Sequence, residues 1–495
     1  MGKTDNYRSH NNSTKKYRKT GAIMTGVLLG VIGVASVITI ANAASDNMKK
    51  TPAAPELQTV AEKTAKETEE VSKQAEETSA AVPETEGGDV IAKATLMSKQ
   101  YDYDGAIKLL KDQKTEDAGG EIAAMIDDLE KQKESLVATK PEEVTHVFFH
   151  SLIVDPERGF STGSDEWNRL TEGYCQWFNT VDEFNKIIEQ MYDRGYVLVS
   201  IYDLLDIEKD ADGTEHIMTK DIYLPKGKIP VVLSLDDLSY YHAYDGRGIA
   251  SKIVVGEDGK PVCEYTDSSG KTTTGDYDCV PCLDKFIEEH PDFSYKGAKG
   301  TIALTGYNGI LGYRTDYLYR DRDDPADDQI PWLEANPDFD WDKECADAKK
   351  AAQAIKDDGW TFASHTWGHI RIGDSDMDRI KTDTARWKET VEPLIGDTDI
   401  IIFAHGQDLV KWDEEYEGTE KYEYLKSQGF SIYCNVDSSK YYMKTGDGYF
   451  RMGRRNIDGL RVWQGVYGDT NYIDDLFDAA SVIDPKRPAD ASMYE

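Results

Sequence analysis

The chain has 495 residues, too many for one ordinary hydrophobic core, so one large domain with smaller accessory segments is expected. Against 57 Lys and Arg stand 92 Asp and Glu, a formal net charge of -35. That balance excludes a nucleic-acid or anionic-membrane surface, because phosphate recognition needs clustered cations, and it suits a neutral or cationic glycan.

The first twenty residues are the exception. Lys3, Arg8, Lys15, Lys16, Arg18 and Lys19 face only Asp5, directly ahead of an apolar stretch from Gly21 to Ala44. About 20 apolar residues span a hydrocarbon core of ~30 Å, and basic residues ahead of a span stay cytoplasmic. Residues 1–20 therefore read as a cytoplasmic tail and 21–44 as a single-pass anchor in the cell membrane, with everything after Ser45 outside. Ala41-Asn42-Ala43 also fits a cleavage site, so the alternative is a signal peptide and a secreted protein. Residues 45–88, rich in Ala, Glu, Lys, Thr and Pro and poor in aromatics, read as a disordered or helical stalk. Over residues 89–140, Ala92, Leu96, Ala106, Ile107 and Leu109, then Ile122, Met125, Ile126 and Leu129, recur at helical spacing and predict a small helical hairpin, a spacer packed on the main domain.

The main domain is expected over residues 141–470, followed by a C-terminal tail, 471–495. Short β-branched or aromatic runs alternate with helical stretches. Strands are predicted over Thr145–Phe149, Tyr196–Ser200, Ile229–Leu235, Thr301–Thr305, Trp360–Ala363, Ile400–Phe403 and Phe430–Cys434, and helices over Asp182–Arg194, Cys282–His290, Cys345–Asp358, Met377–Val391 and Tyr422–Gln428. Such alternation predicts an α/β fold of parallel strands joined by helices, closed as a barrel or left open. A polar insertion from Ser239 to Val280 interrupts it, a length that is commonly functional or disordered. Six cysteines in a chain facing an oxidising compartment allow disulfides, and Cys279-Val-Pro-Cys282 lacks the second ligand pair of a zinc knuckle.

Polar groups with chemical potential sit at the ends of the apolar runs: His150, Asp236-Asp237, His365 and His369, and His405. In parallel α/β folds the carboxyl ends of strands converge on one face, so these positions can meet in one site. Just past a strand end two adjacent carboxylates can turn to one cleft, one binding a cation and the other staying free as a base. His365-Thr-Trp-Gly-His369 places two imidazoles four residues apart, which on one helical turn puts both on one face. With Asp237 they offer two nitrogens and one oxygen to zinc or a similar divalent metal (Co2+, Ni2+ or Mn2+), leaving positions open for water and substrate.

At these residues the sequence resembles the polysaccharide deacetylase family, whose fold is an irregular (β/α) barrel. Ser234-Leu235-Asp236-Asp237 looks like its first motif and His365 to His369 like its second, within a match over roughly Thr145 to Arg461. The resemblance implies a metal-dependent hydrolase that removes N-acetyl groups from a polysaccharide, with Asp236 as general base and Asp237, His365 and His369 as metal ligands. No histidine follows Phe450 to supply the family's usual acid. Phe148-Phe149-His150-Ser151 resembles the opening strand of the branch with an N-terminal catalytic histidine, which makes His150 the expected acid, with His405 as the alternative. The family's base-orienting arginine is also missing from its usual motif, and Arg454 or Arg455 could replace it. Two other readings stay open: a catalytically silent glycan-binding or scaffold protein, and an O-acetyl esterase using the same site.

Overall fold

The computed structural model describes residues 86–112, 120–211, 215–322, 324–437, 439–446, 448–468 and 470–494. The basic tail, the membrane span and nearly all of the stalk lie outside the described residues. Among the described residues, no helix is long and apolar enough to cross a membrane.

In chain order the main strands are β1 (Thr145–Phe149), β2 (Tyr196–Leu198), β3 (Ile229–Asp236), β4 (Thr301–Leu304), β5 (Thr361–Ser364), β6 (Ile400–Ile402), β7 (Ile432–Val436) and β8 (Tyr449–Asn456). Seven of them close a parallel barrel, in the order β4, β5, β6, β7, β8, β1, β3 and back to β4. β2 pairs with the first half of β3 (Leu198↔Val231), and β4 takes over the same edge further along (Thr301↔Ser234). One strand thus serves three partners, which makes the barrel irregular.

Successive side chains of a strand face opposite sides. Val231, Leu233 and Leu235 face the surrounding helices, while Val232 packs with Ala303, Ala363, Ile400, Ile432 and Phe450 inside the barrel. The same parity carries Ser234 and Asp236 of β3 and Arg454 of β8 into the lumen, where they bond to one another. The position of the site therefore follows from the pleat.

Around the barrel run α4 (Asp165–Trp177), α5 (Val181–Asp193), α6 (Cys279–Glu289), α7 (Trp341–Asp357), α8 (Met377–Thr390), α9 (Glu420–Ser427) and α10 (Gly459–Tyr467), preceded by α1 (Glu86–Lys99), α2 (Tyr103–Asp112) and α3 (Glu121–Glu134). α5 shows how local sequence dictates an element: Thr180 and Glu183 form a capping box, and Phe184, Ile187, Ile188 and Met191 make one buried stripe.

Three segments depart from the sequence expectations. The hairpin is three helices, because the chain reverses at Tyr101 (φ 62) and Asp102 caps α2 by accepting from Gly105 N. Its apolar face belongs to the same buried cluster as the barrel lumen, so it packs on the main domain at the lower end of the barrel. The insertion is ordered, as an antiparallel sheet of Lys252–Val255, Pro261–Thr266 and Thr272–Gly275. The C-terminal segment is no tail. Ile473, Leu476, Phe477, Val482 and Tyr494 join the main core, and Arg487 forms a buried ion pair with Glu183. All six cysteines are free thiols.

Candidate metal centre

Asp236 ends β3 on its lumen side, only 3% exposed. Asp237 follows with φ 61, a left-handed turn that lets neighbouring carboxylates serve one cleft. Tyr241 OH donates to Asp237 Oδ1 at 2.6 Å, leaving Oδ2 free and 3.5 Å from His369 Nε2. Asp236 Oδ2 stands 3.9 Å from His365 Nε2. Arg454 donates with Nη1 to Asp236 Oδ1 (2.7 Å) and with Nη2 to Oδ2 (2.9 Å), a bidentate pair buried on both sides. Burial pushes the Asp236 carboxyl up, but the Arg454 guanidinium and His365 outweigh it and hold it well below the usual carboxylate range. The pairing thus favours the ionised carboxylate.

The histidine pair is not on a helix, contrary to the sequence expectation. Residues 365–370 form an irregular bend between β5 and α8, with Thr366 (φ 64) and His369 (φ 49) both left-handed. Its amides need acceptors, and Asp383 of α8 supplies them, taking Trp367 N at 2.7 Å and Gly368 N at 2.9 Å. From the other side Gly306 and Tyr307 both donate to Trp367 O. A Cβ at Gly306 would lie 2.1 Å from the Trp367 ring, so only glycine admits this approach.

The bend brings the two rings to 5.0 Å between centroids. His365 Nδ1 donates to Ile402 O at 2.8 Å, which fixes the tautomer and leaves the Nε2 lone pair facing the cleft. Burial pushes His369 down to about 3, so it is the neutral imidazole a metal requires. One ligand atom each from Asp237, His365 and His369 lie within 4.8 Å of one another. A carboxylate oxygen and two imidazole nitrogens at that spacing fit a divalent cation with open positions.

His150 lies just past β1. It is within electrostatic reach of both Asp236 and Asp237, and its Nδ1 is buried without a hydrogen-bond partner. Asp458, which caps α10, also lies within its electrostatic reach. His405 is exposed at the rim with its ring 4.3 Å from that of His369. Of the two candidate arginines, Arg454 is at the site. Arg455 is not, because the pleat turns it outward to Asp475 and to Tyr472 O. Asp383, Tyr241 and Asp458 were not expected at the site. Asp383 did leave a trace, as an acid on the apolar stripe formed by Ile380, Thr384 and Trp387.

No family model matches the chain, and no curated protein matches it. Among solved structures it is similar to the Streptococcus pyogenes deacetylase PplD in complex with acetate, with 13% sequence identity and a TM-score of 0.30, the match covering 66% of this chain and 98% of that one.

Proposed function

We propose that this chain is a metal-dependent hydrolase that removes N-acetyl groups from an extracellular or cell-wall polysaccharide, tethered to the membrane through residues 21–44. One observation carries the reading. Three potential ligands, Asp237, His365 and His369, surround one point, while Asp236, held by Arg454, stands beside them and His150 lies within electrostatic reach. Asp237 Oδ2, His365 Nε2 and His369 Nε2 would hold the cation. A divalent cation in such a set supplies Lewis acidity to the acetyl carbonyl and lowers the pKa of water.

The remaining work falls to side chains. Asp236 accepts a proton from the attacking water. Its tight pairing makes it a weak base, so that transfer is coupled to attack rather than completed before it. Arg454 keeps the carboxylate in place throughout. His150 then gives a proton to the leaving amine, without which the C–N bond does not break. Phe148 and Phe178 pack edge-on against its ring and fix its orientation.

The test is acetate release by the full-length, zinc-loaded protein from chitooligosaccharides, peptidoglycan and poly-N-acetylglucosamine. Asp236→Asn is expected to retain the metal and lose about 10²–10⁴-fold in rate. Full activity in that variant, or no acetate from any of the three glycans, overturns the reading.

A further inference from the structure

At the level of Val232 the barrel lumen is lined by apolar side chains, yet it also holds an imidazole. His146 is in register with Val232 and 1% exposed, and it takes its lumen position from the pleat that sends its neighbour Val147 to the outer core. Its Nδ1 is buried without a hydrogen-bond partner. Burial, and after it the Arg454 guanidinium, pushes the ring well below the usual histidine pKa, so it is neutral. A neutral imidazole with one orphaned nitrogen costs more in this place than an apolar ring, so packing alone does not account for it.

Its other nitrogen leads to the site. His146 Nε2 reaches along the strand to Ser234 Oγ at 3.0 Å. Arg454 Nη1 donates to that same oxygen at 3.1 Å and to Asp236 Oδ1 at 2.7 Å. A hydroxyl that accepts from an arginine still has its own proton to place, and His146 Nε2 is the acceptor beside it. The bonds then run in one direction, from Arg454 to Ser234 to His146. Without that last acceptor the hydroxyl turns freely, and Arg454 loses the fixed oxygen that sets how its Nη1 meets Asp236.

We infer that His146 is a positioning residue that acts through Ser234 and Arg454 to hold the Asp236 carboxylate in its working orientation. The inference rests on the hydrolase reading for the role of Asp236, and the test separates the two. With the full-length, zinc-loaded protein and the N-acetylglucosamine tetramer, His146→Phe is expected to lower kcat about tenfold at unchanged KM, while its melting temperature equals or exceeds that of wild type. A residue that serves packing alone would instead lose stability and leave kcat per folded molecule intact. His146→Gln, whose amide oxygen takes the place of Nε2, is expected to recover most of the rate. Ser234→Ala is expected to match His146→Phe in kcat, and the double variant to be no slower than either, with melting temperatures that likewise depart from the sum of the single shifts. Unchanged kcat in His146→Phe, or additive effects of the two substitutions, overturns the inference. A wild-type chain that releases no acetate sinks the hydrolase instead, and the coupling of the melting temperatures then decides whether His146 and Ser234 act as one unit.

Discussion

At its lower mouth the lumen residues Val232, Ile400, Ile432 and Phe450 belong to one apolar cluster that extends to Ala94, Tyr103, Ala106 and Leu110 of the N-terminal helices, the plug of this end. A few residues further along the same lumen stand Asp236, His365 and Arg454, buried as deeply but charged or polar. The lower mouth needs only exclusion of water, which stabilises it in proportion to apolar area. The upper mouth needs a partner for every buried charge and holds Asp237, Thr366, His369 and His405 in the left-handed region, each at a cost of about 1–3 kcal/mol. Stability and chemistry are thus separated along one axis.

The largest effect expected from that division is at the plug. A chain of residues 137–495, compared with residues 86–495, is expected to lose its cooperative thermal transition and expose the lumen to a hydrophobic dye. His365→Ala in the longer chain is expected to lose metal and keep its transition. If the shorter chain melts like the longer one, the plug is a spacer after all and the two mouths are independent.

Arg454 stands where the halves meet, its guanidinium 4.1 Å from the Phe148 ring centroid and bonded to both Asp236 oxygens. Arg454→Met removes the partner and leaves a buried, unpaired carboxylate, a loss of about 3–5 kcal/mol by denaturant titration. Arg454→Met with Asp236→Asn is expected to recover much of that stability, since the stranded charge is gone. Additive losses in the double variant would mean that the pair is not a unit.

Most of the barrel strands were legible in the sequence, and the upper mouth only in outline. β1, β3, β4 and β6 were visible because both faces of a barrel strand are buried, so each reads as an apolar run. β8 was not: Tyr449-Phe450-Arg451-Met452-Gly453-Arg454-Arg455-Asn456 carries three arginines, each matched by a carboxylate from distant sequence, Asp408, Asp236 and Asp475. Asp237, His365 and His369 could be picked out because ligand chemistry restricts residue type. Their support could not, since Asp383 and Tyr241 act through backbone geometry and a single hydroxyl, for which many residues would look equally suitable. The histidine spacing suggested a helical turn. The bend that replaced it depends on two positive φ angles that spacing does not encode.

A buried carboxylate also marks the upper mouth as the costly end. Asp278 Oδ1 accepts from Leu152 N and Cys279 N, and Oδ2 from Tyr240 OH, joining the loop after His150 to the loop after Asp237. Burial raises its pKa to about 6, against the pull of those donors. With a folded value above the unfolded 3.8, its contribution is complete below pH ~4 and is lost as pH rises through ~6, at up to about 1.4 kcal/mol per pH unit. Subtracting the stability of Asp278→Asn from that of the wild type at each pH isolates this slope. A difference that is flat between pH 4 and 6 would place Asp278 in an ordinary environment and weaken the contrast between the mouths.

The smallest expected effect is the most specific to the site. Asp383 uses both oxygens to hold two consecutive amides of the His365–His369 bend, and neither oxygen touches a ligand. In Asp383→Asn one acceptor becomes a donor, so either Trp367 N or Gly368 N loses its partner and His369 gains freedom to turn. The bend remains pinned at Trp367 O by Gly306 and Tyr307, so the fold should hold, with a melting temperature within a few degrees of wild type. Metal affinity should fall about tenfold by chelator competition, in the range found when groups that orient ligands are removed. A large drop in melting temperature with unchanged affinity would instead make Asp383 a cap for the core, and the upper mouth would then share the stabilising role assigned above to the plug.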